Sequence, residues 1–111
     1  MHRTIIVARI NPNAEPDVAG VFAESDATQL PYELGVRRRS LYSLNDVYLH
    51  VIDFADDPVE TLRRAPENPG FRKISADLRP YIRAYDEETW RTPQDAVAKE
   101  FYRWDASPLG K

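Results

Sequence analysis

The chain opens on alternating and β-branched positions, passes to apolar residues at helical spacing, and then repeats the sequence with an extra strand. Arg3 to Ile10 (RTIIVARI) is dense in β-branched residues and predicts a strand. Asn11-Pro12-Asn13 turns the chain, with Asn13 placed to cap a helix whose first turn tolerates Pro16. Val18, Val21, Phe22 and Ser25 then keep the i, i+3, i+4, i+7 spacing of an amphipathic helix. That stripe is apolar up to its last position, where it delivers Ser25 with Asp26 beside it.

Pro31 closes the link to a second strand, Tyr32 to Leu44, whose Tyr, Val and Leu residues alternate with polar ones. Asn45-Asp46 supplies turn chemistry, and Val47 to Phe54 (VYLHVIDF) predicts a third strand close enough to form a hairpin with the second. Pro58 to Ala65 predicts a short helix, with Asp56-Asp57 before it as capping chemistry. Asn68-Pro69-Gly70 breaks the chain, and Phe71, Ile74 and Leu78 make a second helical stripe that Pro80 ends. Residues 86–98 form a polar excursion, Lys99 to Asp105 (KEFYRWD) predicts the last strand, and 106–111 a tail without order. The order βαββαβ predicts a single α+β domain over 1–111, a ferredoxin-like antiparallel sheet with helices on one face. The uncovered face calls for a second copy, which predicts a homodimer.

Composition narrows the chemistry. The 111 residues are 42% hydrophobic and 30% charged, with a net charge of −3, which is globular and unsuited to non-specific binding of nucleic acid or anionic lipid. Cysteine is absent, so thiolate nucleophiles, thiolate metal sites and disulfides are excluded. His2 and His50 are the only histidines, which argues against a His-rich metal site. No segment has the length and apolarity of a signal peptide or membrane span, so a cytoplasmic protein is the expectation.

A hairpin turn centred on Leu44-Asn45 would put Arg39 opposite His50, Arg37 opposite Ile52 and Leu41 opposite Tyr48. Opposed side chains share a face, with Cβ atoms ~5 Å apart. A guanidinium beside an imidazole disfavours its protonation, leaving a neutral base next to a permanent cation suited to an oxyanion. The residues alone also admit a plainer reading, with Arg39 paired to a carboxylate and His50 a satisfied strand residue. Asp26 likewise reads as a pocket carboxylate or an ordinary helix-end residue. The aromatics, among them Tyr48, Tyr102 and Trp104, are core, rim or cavity lining.

Three stretches together resemble the tetracenomycin-type aromatic polyketide cyclases: Phe22-Ala23-Glu24-Ser25-Asp26, Leu30-Pro31-Tyr32-Glu33-Leu34-Gly35-Val36-Arg37-Arg38-Arg39, and Asp46-Val47-Tyr48-Leu49-His50-Val51-Ile52. Asn68-Pro69-Gly70-Phe71 and Glu100-Phe101-Tyr102-Arg103-Trp104 extend the likeness nearly to the C-terminus. The resemblance implies sheet-to-sheet dimerisation and an intramolecular aldol cyclisation and dehydration of a partly cyclised poly-β-ketone. It further implies that no metal or organic cofactor is used, and it allows transient contact with a type II polyketide synthase. It places catalysis on Asp26, Arg39 and His50, with Phe22, Ser25, Arg37, Tyr48, Tyr102 and Trp104 as the substrate-binding set. One departure is Ser25, where these cyclases often carry a histidine; serine does not titrate near neutrality. Two rivals to cyclisation are a cofactor-independent anthrone monooxygenase on the same fold and a non-catalytic polyketide-binding protein.

Overall fold

β1 (His2–Ile10) runs between two antiparallel neighbours, β3 (Val47–Phe54) and β4 (Ile82–Ala84), while β2 (Val36–Leu44) flanks β3. The sheet order is therefore β2-β3-β1-β4, the ferredoxin-like arrangement. The computed structural model describes residues 2–91 and 93–106; the predicted tail beyond Ala106 lies outside them.

Alternation decides which side chains meet the helices. Ala8 and Ile10 of β1, and Tyr48, His50, Ile52 and Phe54 of β3, are buried on the helix side. Against them lie Val18 and Phe22 of α1 (Glu15–Asp26), Leu30 of α2 (Leu30–Glu33) and Ile74 of α4 (Pro69–Leu78). Ile10 and Val18 are the largest fully enclosed side chains, each contributing roughly 1.5–3 kcal/mol of apolar burial. Of the stripe expected on α1, Val18 and Phe22 are buried one turn apart, while Val21 and Ser25 are half-buried.

Caps follow local chemistry. The Asn68 carboxamide accepts from the Gly70 and Phe71 amides at the head of α4, and Asp57 accepts from the Val59 amide at the head of α3 (Val59–Arg64). The expected cap at Asn13 is not made. Asn13 instead takes a positive φ of 61°, and Ala14 precedes α1 without a side-chain bond. The left-handed turn uses Asn13 as a backbone pivot rather than as an acceptor.

Three further expectations are corrected. Tyr32 and Glu33 belong to α2, not to the second strand, which begins only after Gly35 reverses the chain at φ 73°. The hairpin turn is Asn45-Asp46, with Asn45 at φ 55°, so Leu44 pairs with Val47. Arg39 is therefore opposite Ile52, and Leu41 opposite His50. The slip is of two residues, so from Arg38 to Leu44 every side chain keeps its predicted face, while the expected Arg37–Ile52 pair is not made because the register shifts again ahead of Arg38.

The fourth strand is Ile82–Ala84 rather than Lys99–Asp105. Only three residues, Arg79, Pro80 and Tyr81, separate it from α4, which returns the chain directly to the Ala8–Ile10 end of β1. Lys99–Asp105 has a strand-like composition but pairs with no strand among the described residues. Its last backbone anchors are the Ile6–Val97 bridge and the Ala98 amide on the Ile5 carbonyl at 2.7 Å. Beyond these the chain projects with Phe101, Tyr102 and Trp104 exposed.

Candidate active site

The end of α1, the start of β2 and the middle of β3 converge on one cluster. Arg39 reaches inward from β2 and divides its guanidinium between two partners. Nε and Nη2 donate to the Asp26 carboxylate at 2.9–3.2 Å, and Nη1 lies 2.9 Å from His50 Nε2. A guanidinium is a donor only, so Nε2 accepts, and the imidazole is the neutral tautomer with its proton on Nδ1.

Phe22 supports the pair from below. Its ring meets His50 edge-on at 4.9 Å between centroids, and the Arg39 guanidinium lies 4.8 Å over it. Tyr48, next but one to His50 on the same face, has its ring 6.3 Å from the imidazole. Burial pushes the Tyr48 phenol far above the ordinary range, against a weaker opposing pull from Arg39. It is therefore a neutral hydroxyl at every working pH.

His50 is lowered from 6.5 to about 3, first by burial and second by the Arg39 charge. Both the carboxylate partner and the histidine contact envisaged for Arg39 are present at once. The charge arrangement is directional: the Arg39 side chain is 15% exposed and that of Asp26 is 40% exposed. The cation is sheltered and its counter-ion faces water.

An open hollow of about 500 Å³ adjoins the cluster, lined by Asp26, Arg39, Arg37, Arg38, Tyr32, Pro31 and the chain around Gly35. A β-bulge between Val36 and Arg38 shapes its rim, since Val36 pairs with Phe54 but Arg38 pairs with Asp53, leaving Arg37 as the extra residue. The sequence pattern did not indicate Tyr32, Arg38 or the bulge; for the two side chains, the glycine ahead of three arginines is the signal that could have been followed.

The remaining candidates are dispersed. Phe22 is almost wholly buried beneath Arg39 and His50. Ser25 lines a different, smaller cleft of about 90 Å³ between α1 and α4, with Glu24, Lys73 and Asp77. Successive helix positions turn by about 100°, so Ser25 and Asp26 serve different sides. Tyr102 and Trp104 lie on the C-terminal arm and line a hollow with Arg3 and Ile5, on the sheet face away from the helices. Among the described residues no group of three His, Asp or Glu side chains is placed to hold a metal ion, and no helix is long and apolar enough to cross a membrane.

Comparison with known proteins adds a second line of observation. The family model for polyketide synthesis cyclases matches residues 2–105. A protein of Streptomyces coelicolor of uncharacterised function is 53% identical over 99% of this chain and 100% of its own. Polyketide synthase CurG of Streptomyces cyaneus is 42% identical over 95% of this chain and 98% of its own. Tetracenomycin F2 cyclase of Streptomyces glaucescens is 38% identical over 95% of each chain. The solved structure of that cyclase, described as a type II polyketide cyclase, superposes with a TM-score of 0.88 at 37% identity, covering 96% of this chain and 100% of that one.

Proposed function

Because the chain belongs to the polyketide synthesis cyclase family, we propose that it closes a ring of an aromatic polyketide by intramolecular aldol addition and loss of water. The observation that carries this reading is the guanidinium of Arg39, held in a sheltered position between Asp26 and His50 at the edge of an open hollow.

The chemistry needs a cation where negative charge develops and a base for a weakly acidic carbon. In the first step a C–H bond of the methylene between two ketones breaks. The proton passes to His50 Nε2, and the electron pair becomes an enolate whose oxygen Arg39 holds. The Arg39–His50 contact must open for this. A bound enolate draws the guanidinium toward itself and adds a negative charge near the imidazole. Both changes raise the imidazole's proton affinity from its depressed resting value. The enolate carbon then bonds to a second carbonyl carbon of the same molecule, and the resulting alkoxide takes a proton back from His50. Loss of the neighbouring α-proton and of the hydroxyl, as water, gives the aromatic ring. Asp26 keeps the guanidinium aimed throughout. This sequence calls on side chains alone and uses no cofactor.

Positioning contributes as well, because a long ketone chain has many ways to close and a shaped cavity selects one. The exposed Tyr42 and Leu44 on β2, together with the arm aromatics, are the surfaces a second copy would cover, and a homodimer forms the working unit. The protein works in the cytoplasm, with transient access to a type II synthase.

The test is to supply the protein to a minimal synthase and compare products, with and without it, by mass. A new product lighter by one water in the presence of wild type, and reduced with His50→Gln, supports the reading. A product that gains oxygen, with oxygen consumed, would establish the monooxygenase chemistry in its place. An unchanged product profile despite binding of the aromatic would establish a carrier.

A further inference from the structure

Three consecutive arginines on a regular strand alternate between faces, so Arg38 would point away from Arg37 and Arg39. The bulge at Val36/Arg38 interrupts that alternation at Arg37, while Arg38 and Arg39 keep it, opposite Asp53 and Ile52; on this edge strand all three nevertheless line the hollow beside Asp26. Arg39 is committed to Asp26 and His50. Arg37 and Arg38 make no ion pair or side-chain hydrogen bond among the described residues, and both are exposed. The carboxylate within electrostatic reach of Arg38 is Asp53, which already accepts both bonds of the Arg3 fork, at 2.8 and 3.1 Å. In a chain of net charge −3, this hollow sets three guanidinium groups against one carboxylate.

The remaining lining is suited to a flat apolar body, with Pro31, Tyr32, Val36 and Ala55 forming the wall. We propose that Arg37 and Arg38 form a carboxylate-binding subsite at the mouth of the Asp26–Arg39–His50 cluster. It holds an ionised acid group at the outer end of the aromatic substrate, while the reacting ketones face Arg39. This deepens the cyclase reading and rests on it. Guanidinium forks match a carboxylate's two oxygens, and the acid group would fix which end of the ring system enters first.

The probes are 2-naphthoic acid, ionised at neutral pH, and 2-naphthamide, its uncharged counterpart. Each is titrated into the full chain, and into Arg37→Gln/Arg38→Gln confirmed as folded by circular dichroism, at about 0.15 M ionic strength to screen distant charges. With exposed pairs of modest strength, the acid binds wild type about tenfold more tightly than the amide. In the double variant that ratio falls to near one, while amide affinity is retained. Equal binding of acid and amide to wild type overturns the subsite and leaves the aromatic-binding reading standing. An acid preference that survives in the double variant also overturns it, by placing the carboxylate on Arg39. Binding of neither probe removes the subsite together with the aromatic substrate on which it depends.

Discussion

The two faces of the sheet each carry an arginine–carboxylate fork, and the forks are built in opposite senses. On the helix face Arg39 is the sheltered partner and Asp26 the wet one, with side chains 15% and 40% exposed. On the other face Asp53 is the sheltered partner at 8%, and Arg3 reaches out into solvent at 58%. Their bond lengths are alike, with the shortest contacts at 2.9 and 2.8 Å. What differs is the sign of the charge that stands in low dielectric. One fork offers a fixed cation to whatever enters the hollow; the other holds an anion that Arg3 already satisfies. Only the first touches a histidine. An ion pair's geometry thus says little about its role until the exposure of each partner is known.

Substitutions can break this contrast. The largest effect is expected for His50→Gln, which keeps a hydrogen-bonding side chain but cannot titrate. Turnover should fall about 10²–10⁴-fold with ligand affinity little changed. Near-full turnover would show that the site works by holding and polarising its substrate. Next comes the pair of arginines. Arg39→Ala should lower turnover about 10²–10³-fold, as expected for loss of an oxyanion donor. Arg3→Ala should leave turnover unchanged and lower thermal stability at neutral pH. Equal effects on turnover would abolish the distinction between the forks.

The contrast extends to acid. Folding lowers the proton affinity of His50 from 6.5 to about 3, so below pH 6.5 the unfolded chain binds the proton preferentially. Stability is lost as pH falls through that window, by about 2 kcal/mol at pH 5. His50→Gln should flatten denaturant midpoints between pH 6.5 and 4. Asp53 is held below 3.8 chiefly by its hydrogen bond from Arg3, so its stabilisation is present above that value and lost below it. His50 and Asp53 therefore lose their contributions in separate pH ranges, and a single shared transition would contradict the assignment. The smallest effect is expected at Ser25. Its place in the α1–α4 cleft accepts an imidazole, so Ser25→His should shift stability by less than about 0.5 kcal/mol. Unfolding of that variant would show a tighter cleft than the structure describes.

Much of this arrangement is legible in the residues because periodicity reports burial. The α1 stripe ends beside Asp26, and the hairpin parity puts Arg39 and His50 on one face under either turn position. The hairpin's register was less accessible, since a left-handed Asn45 moved the turn by one residue. The fourth strand was hidden by its brevity: three residues cannot display an alternation that distinguishes them from a loop. Lys99–Asp105 misled for the converse reason. Its aromatic and alternating pattern describes a segment that wants a pairing partner, and no strand among the described residues pairs with it. The bulge left no pattern at all, because an inserted residue looks like any other until the partner strand is counted.

That inserted residue makes strand length a variable with a two-position setting. Removing Arg37 would join Val36, already opposite Phe54, to Arg38 in a regular ladder and straighten the strand where the bulge bends it at the rim of the hollow. Adding a residue at the same point would widen the bulge instead. Neither change disturbs the ladder from Arg38 to Leu44, which holds Arg39 at its place. The rim of the hollow can therefore be redrawn by insertions and deletions while the chemistry behind it stays fixed.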